Sequence, residues 1–199
     1  MQNQQTGSTI GPRRVFLFSG HMIDAPDRSS PRFPADQEPV AANAIAGLLD
    51  RLAAGSADLA ISGGACGGDL LFAEAVLARG LALEIYLPFE ETAFLASSVD
   101  FAGADWRRRF EVAKRCAELH VLPQERPPLH EGQDAYEMTN LWMLEAAMRF
   151  GPEKVDFISL WNGQKGDGPG GTQHLMQEVR ANAGRVHWID TTQLWNGGN

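Results

Sequence analysis

The chain has 199 residues, 44% of them apolar, and a formal net charge of −8. That length suits one domain with a buried core, and no run of about 18 or more apolar residues is present that would span a membrane. The acidic balance makes nucleic acid an unfavoured partner, because affinity for duplexes comes largely from Lys and Arg neutralising phosphates, whereas a small anionic ligand needs only a few local donors. Cys66 and Cys116 are the two cysteines. They are too few for a disulfide framework, and there is no CxxC, so a reducing cytoplasm is the expected setting and no metal site is expected.

Residues 1–13 are polar without an apolar h-region, so a flexible arm is expected there rather than a secretory signal. Beyond it, apolar runs alternate with helix-period segments, the pattern of a parallel sheet flanked by helices. The first strand is expected from Arg14 to Ser19. A helix follows from Pro39 to Ala53 with a Val40, Ala44, Leu48, Leu52 stripe, and Pro39 suits its first turn. A strand from Asp58 to Ser62 leads to a helix from Gly68 to Arg79, with Gly80 as its C-terminal cap. Strand Leu81–Leu87, helix Ala104–Ala117, strand Glu118–Leu122 and helix Ala135–Arg149 come next. Strand Lys154–Trp161, helix Gly171–Ala183 and strand Arg185–Ile189 complete the domain over residues 14–190, leaving 191–199 as a tail. The expected fold is a three-layer α/β/α Rossmann-like, doubly wound domain with a mainly parallel six-stranded sheet. In a 3-2-1-4-5-6 strand order the first strand is central, and the loops after strands one, two, four and five meet at one crevice.

The strongest motif is Ser62-Gly63-Gly64-Ala65-Cys66-Gly67-Gly68-Asp69, set between a strand and a helix. Glycines there let the backbone turn sharply and approach a ligand closely. The following helix offers free N–H groups and the positive end of its dipole to a phosphate. The spacing is neither GxGxxG nor a P-loop, and a tight turn without ligand would also use such glycines. The second motif, Gly168-Pro169-Gly170-Gly171-Thr172, again joins a strand to a helix, where Thr172 can cap the helix or bond a phosphate oxygen. The third, Ser19-Gly20-His21-Met22-Ile23-Asp24, ends the first strand. There Ser19, His21 and Asp24 supply polar groups and Gly20 permits close approach. Arg28 and Arg32 form a candidate anion clamp. Arg107, Arg108 and Arg109 suit a solvated helix face or a ligand, and Trp142, Met143 and Met148 suit the core.

The strand, Ser-Gly-Gly-Ala-x-Gly-x-Asp, helix pattern resembles the SLOG superfamily. That Rossmann-like group includes DNA-processing protein A, the LONELY GUY phosphoribohydrolases and nucleotide-sensing domains. Pro169-Gly170-Gly171-Thr172 resembles the group's second glycine motif, and the segment from Phe18 to Pro34 is similar to SLOG-type domains of bacterial signalling proteins. The resemblance covers residues 14–189 and implies ligand contacts at Gly63, Gly64, Gly67, Gly68, Asp69, Gly170, Gly171 and Thr172. The phosphoribohydrolase pattern PGGxGTxxE is not met, since Leu175 stands three residues beyond Thr172 and the nearest acid is Glu178. Phosphate binding is therefore implied, and that family's catalytic step is not.

These readings give three expectations. The first is a sensor that binds a nucleotide or ADP-ribose-like derivative, needs no obligatory cofactor, and signals to a partner or a second copy. The second is a hydrolase of an N-glycosidic or phosphoribosyl bond, drawing its carboxylate from Asp24, Asp69, Glu145 or Glu178, with Asp24 the best placed and His21 its acid–base partner. The third is a structural homo-oligomer with an empty site.

Overall fold

A computed structural model describes residues 11–164 and 171–196. Gly170, with Gly168 and Pro169 of the second glycine motif, lies outside the described residues, as do residues 1–10 of the expected arm.

The chain runs β1 (Val15–Gly20), α1 (Glu38–Arg51), β2 (Leu59–Ser62), α2 (Gly68–Leu77), β3 (Ala82–Leu87), α3 (Glu91–Ser98), α4 (Ala104–Arg115) and β4 (Glu118–Val121). It continues with α5 (Leu122–Glu125), α6 (Ala135–Met148), β5 (Val155–Trp161), α7 (Thr172–Ala181), β6 (Arg185–Asp190) and α8 (Thr191–Asn196). All six strands form one parallel sheet in the order β4-β3-β2-β1-β5-β6. The sheet is buried on both faces, which is why its central strands are mostly apolar on both sides. Along β1, Phe16 and Phe18 enter the core beneath α1, α2 and α4, while Val15 and Leu17 enter the one beneath α6 and α7. The expected α/β/α Rossmann-like fold is the fold observed.

The strand order differs from the expected 3-2-1-4-5-6. β4 adds outside β3, because α4 follows α2 on the same face and the chain keeps stepping outward. Reversal comes one strand later, when α6 crosses the opposite face against β3, β2 and β1 and delivers β5 beside β1. The switch point therefore lies between β1 and β5. The loop after β4 sits at the far edge of the sheet, away from the crevice expected to hold it. β3 is an interior strand rather than an edge, so the segment after it is brought toward the centre.

Several local expectations shift. α1 buries Ala41, Ile45, Leu48 and Leu49, and Val40 faces solvent, so the apolar stripe starts one residue late. The connection from Phe89 to Gly103 contains α3, which is short and buries Phe94, Leu95 and Ser98. The stretch expected as a tail forms α8, where Trp195 stacks on Phe33 with ring centroids 5.4 Å apart. Arg107 and Arg108 pair with Asp100 and Asp105 at the surface. Arg109 instead lies buried, bonding Glu74 through Nε and Nη2 and Glu38 through Nη1, each at 2.6 Å, and so ties α4 to α2 and α1. No helix among the described residues is long and apolar enough to cross a membrane.

Candidate functional site

Beyond β1 the chain folds back onto the glycine-rich loop after β2. Met22 and Gly67 form an isolated antiparallel bridge, with Ile23 N–H donating to Cys66 O at 3.3 Å and Gly68 N–H donating to His21 O at 3.0 Å. Gly67 has φ +95°, and a Cβ there would stand 2.5 Å from the Ile23 nitrogen. A Cβ on Gly68 would meet Phe18 at 3.1 Å, and one on Gly64, where φ is +79°, would meet Ile85 at 3.0 Å. These glycines are required by close approach of the chain to itself. Ser62 is wholly buried below them, its Oγ without a partner among the described residues. Ser62, Gly64, Gly67 and Gly68 thus shape the loop and do not line the cleft above it.

Several N–H groups of the loop and of the α2 start already have partners in the protein. Cys66 N–H donates to Ser98 O, Leu70 N–H to Ala65 O, and Ala65 N–H to Oδ2 of Asp69 at 3.2 Å. Gly63 is the residue that makes room for this carboxylate, since a Cβ there would sit 2.9 Å from Oδ2. Burial raises the Asp69 pKa to about 7, only partly opposed by the Ala65 hydrogen bond. Burial likewise pushes the Cys66 thiol up to about 12, so it is no nucleophile at neutral pH.

Asp24 and His21 are placed apart in role. One Asp24 oxygen accepts from the backbone N–H of Arg32 and of Phe33, each at 2.8 Å, and the other pairs with Arg28 Nε at 3.1 Å. This carboxylate closes the loop that follows β1 and does not line the cleft. His21 does line it. Its Nε2 accepts from Asn162 N–H at 3.1 Å, and burial together with the nearby Arg32 charge lowers its pKa to about 4, so the ring is neutral. No hydrogen bond or ion pair joins Asp24 to His21: Asp24 anchors the loop after β1, and His21 Nε2 accepts from Asn162 N–H.

At the switch point the C-terminal ends of β1 and β5 open into a cleft of about 260 Å³. Ser19, Gly20, His21, Arg32, Gly63, Ala65, Asp69, Gly171 and Thr172, all singled out from the sequence, line it. The Ser19 and Thr172 hydroxyls hydrogen-bond each other at 3.0 Å, joining the end of β1 to the N-terminus of α7. There Gly171 is the N-cap and no side chain caps the helix. Arg28 faces a neighbouring groove instead.

The opposite wall was not legible as a site. α6 supplies Tyr136, Thr139, Asn140 and Met143, joined by Phe94 of α3, Tyr86 of β3 and Trp161 of β5. Met143 and its neighbours read as core because most of α6 is core. The signal that marks the cleft is the uncharged polar pair Thr139-Asn140 in a helix whose other polar residues are the acids Glu137 and Glu145 and the rim Tyr136. Thr139 is 3% exposed, and its Oγ1 has no partner among the described residues. A buried hydroxyl left unpaired on a cleft wall is costly in the absence of a ligand or water. Tyr136 bonds Ser98 Oγ at 2.9 Å and stands edge-on to Phe89, which fixes its ring at the rim.

Glu84, Glu118 and His120 come together on β3 and β4 behind the cleft-lining Tyr86, whose ring stacks on His120 with centroids 4.4 Å apart. Glu84 already accepts from Tyr86 O–H at 2.7 Å and pairs with Arg149 at 2.8 Å, so its charge is balanced within an ion-pair network.

No family model and no curated protein matches the chain. Among solved structures it is similar to DNA processing protein A from Streptococcus pneumoniae, at 14% identity and TM-score 0.39 over 93% of this chain. It spans 61% of the length of that protein. It is also similar to TM1055, at 12% identity and TM-score 0.41, covering 92% of this chain and 99% of that one. A third similarity is to a Moco carrier protein from Chlamydomonas reinhardtii, at 12% identity and TM-score 0.35, covering 94% and 99% of the two chains.

Proposed function

We propose that this domain is of the SLOG kind and binds a nucleotide or nucleotide derivative in the switch-point cleft, as a sensor. The observation that carries this reading is the convergence on one cleft of the α7 N-terminus, the Ser19–Thr172 hydroxyl pair and the unpartnered buried Thr139, opposite an aromatic wall. The phosphate sits at Gly171 and Thr172 rather than at the first glycine loop. The N–H groups at α7 are aligned with the positive end of a ten-residue helix, whereas the α2 end carries the Asp69 carboxylate and gives its Gly68 and Leu70 N–H groups to His21 O and Ala65 O. The base lies against Tyr136, Phe94 and Met143, where an apolar and aromatic surface suits a π face. The formal charge of −8 favours a small ligand of this kind over a nucleic acid.

The test is a thermal-shift titration with AMP and with adenosine. A ligand at about 100 times its Kd stabilises by about 2.7 kcal/mol, which for a domain of this size is about 5–10 °C in Tm. AMP should produce such a shift, adenosine a much smaller one, and Thr172→Val should erase the difference. A flat response to AMP refutes the proposal and leaves the empty structural homo-oligomer as the reading to examine.

One observation favours a second reading, hydrolysis of an N-glycosidic bond. Asp69 lines the cleft with its pKa raised to about 7, close to where a carboxyl both gives and takes protons at neutral pH. In that reading Asp69, not Asp24, is the acid–base group, and Asp69→Asn abolishes release of free base while AMP still binds. Intact AMP after prolonged incubation with the native protein excludes it.

A further inference from the structure

β3 and β4 are parallel neighbours, and their register pairs Glu84 with Glu118 and Tyr86 with His120. Alternate residues of a strand share a face, so these four side chains stand together on one side of the sheet. Like charges at directly paired positions repel. Here the buried Glu84 carboxylate lies beside that of Glu118, whose side chain is 72% exposed. β4 is an edge strand, so the pair opens to solvent on that side. No metal-ligand spacing marks these residues in the sequence, because two strands supply them.

His120 completes the group. Its Nδ1 lies 2.9 Å from Oε2 of Glu125, and the other oxygen of Glu125 accepts the Val121 N–H at 3.1 Å. A carboxylate can only accept, so the hydrogen of the neutral ring is on Nδ1 and Nε2 presents a lone pair. Nε2 is buried and has no hydrogen-bond partner among the described residues. It is flanked by Glu118 Oε1 at 3.7 Å and Glu84 Oε2 at 3.9 Å. One nitrogen and two carboxylate oxygens thus lie within 4.8 Å of one another, with no protein donor to satisfy the nitrogen. Stacking on Tyr86 and the edge contact with Trp142 hold the ring in this orientation. Arg149 offsets the charge of Glu84. No Lys or Arg pairs with Glu118 or Glu125 among the described residues, so the cluster keeps an excess of negative charge.

We propose that Glu84, Glu118 and His120 bind one divalent first-row transition ion such as Zn²⁺, with Glu125 as the carboxylate that orients the histidine. A mixed imidazole and carboxylate set suits such an ion better than Mg²⁺ or Ca²⁺, which prefer oxygen shells. A tetrahedral ion with bonds of about 2.0–2.2 Å holds its ligand atoms about 3.4 Å apart, so closing on it takes shifts of about half an ångström. Three protein ligands leave a fourth position for water. The ion ties the edge strand β4 to β3 behind the cleft-lining Tyr86, whose hydroxyl donates to Glu84 at 2.7 Å. This site is independent of the nucleotide reading of the cleft.

The test is isothermal titration of the full chain, stripped with EDTA and dialysed, with ZnCl₂ and, for comparison, MgCl₂ and CaCl₂. Zn²⁺ should bind one to one and about a hundredfold more tightly than Mg²⁺ or Ca²⁺. Glu118→Gln alters an exposed side chain, so it is expected to keep the native melt, and it should weaken Zn²⁺ binding about tenfold or more. His120→Gln should lose that binding, and Glu125→Gln should weaken it about tenfold. If His120→Gln fails to fold, Glu118→Gln alone decides. Three results overturn the proposal. One is no binding of Zn²⁺ by the native protein. Another is equal affinity for Mg²⁺ or Ca²⁺, which marks diffuse attraction to an acidic surface. The third is native Zn²⁺ affinity in folded Glu118→Gln, which moves the ion to another group such as the exposed Cys116 thiol.

Discussion

Replacing Gly67 with alanine separates two explanations of the first glycine motif, one from chain packing and one from ligand contact. The residue has φ +95° and ψ −127°, a region that side-chain-bearing residues avoid. The added Cβ would lie 2.5 Å from the Ile23 nitrogen, 2.9 Å from the His21 oxygen and 2.9 Å from the Met22 carbonyl carbon. All three are backbone atoms, so no flexible side chain can swing aside. The backbone strain costs about 1–3 kcal/mol. Pushing the segments apart also loses the Ile23–Cys66 and Gly68–His21 hydrogen bonds, at about 1 kcal/mol each. The expected loss is about 3–5 kcal/mol, or about 6–20 °C in Tm for a chain of this size. Urea denaturation followed by tryptophan fluorescence measures it, with the m-value expected to stay the same. Gly103→Ala is the control, because Gly103 has φ +105° but nothing within 4 Å of its added Cβ, so it reports strain alone. Equal losses in the two variants would refute the close-approach argument. Native stability with lost AMP binding in Gly67→Ala would return this glycine to the ligand.

Two further substitutions test the electrostatics. The folded pKa of Asp69 is raised from 3.8 to about 7, so the folded chain holds a proton that the unfolded chain releases. This group's contribution is therefore full below about pH 4 and is lost as pH rises to about 7. Asp69→Asn should match native stability near pH 4 and exceed it at pH 8 by about 2–4 kcal/mol, measured by urea denaturation at both values. A gain independent of pH would refute the assignment. Arg109→Ala should cost about 3 kcal/mol by calorimetry, since it removes the buried cation that joins α4 to Glu38 and Glu74. Arg109→Met should cost less, because both glutamates retain contact with solvent and the methionine refills the space beside Trp106. An Arg109→Ala melt equal to native would show that the triad contributes nothing net.

Much of this protein is local and was therefore legible in its sequence. The first strand opens on the unbroken apolar run Val15–Phe18, Gly80 closes α2, and the first glycine motif falls at a strand-to-helix junction where the backbone turns through positive φ at Gly64 and Gly67. Nine of the residues singled out as site candidates do line one cleft. The strand order was decided by the tertiary structure, because α4 and α6 are both ordinary amphipathic or apolar helices and nothing within them states which face each will cover. Once α6 crosses beneath β1, its Thr139 becomes a buried hydroxyl on the cleft wall and its Tyr136 a rim aromatic; the Thr139-Asn140 pair marks the helix as unusual, and only the fold says what it faces. The same holds for the glycines and acids of the motifs. A sequence shows that Gly67 lacks a side chain and that Asp24 and Asp69 carry carboxyls. Only the fold sets the Ile23 backbone against Gly67, gives Asp24 to Arg28 and the Arg32 and Phe33 amides, and leaves Asp69 in the cleft without a cation to hold its charge. Periodicity and turn chemistry act over a few residues, whereas the approach of the Ile23 backbone to Gly67 joins segments far apart in the chain.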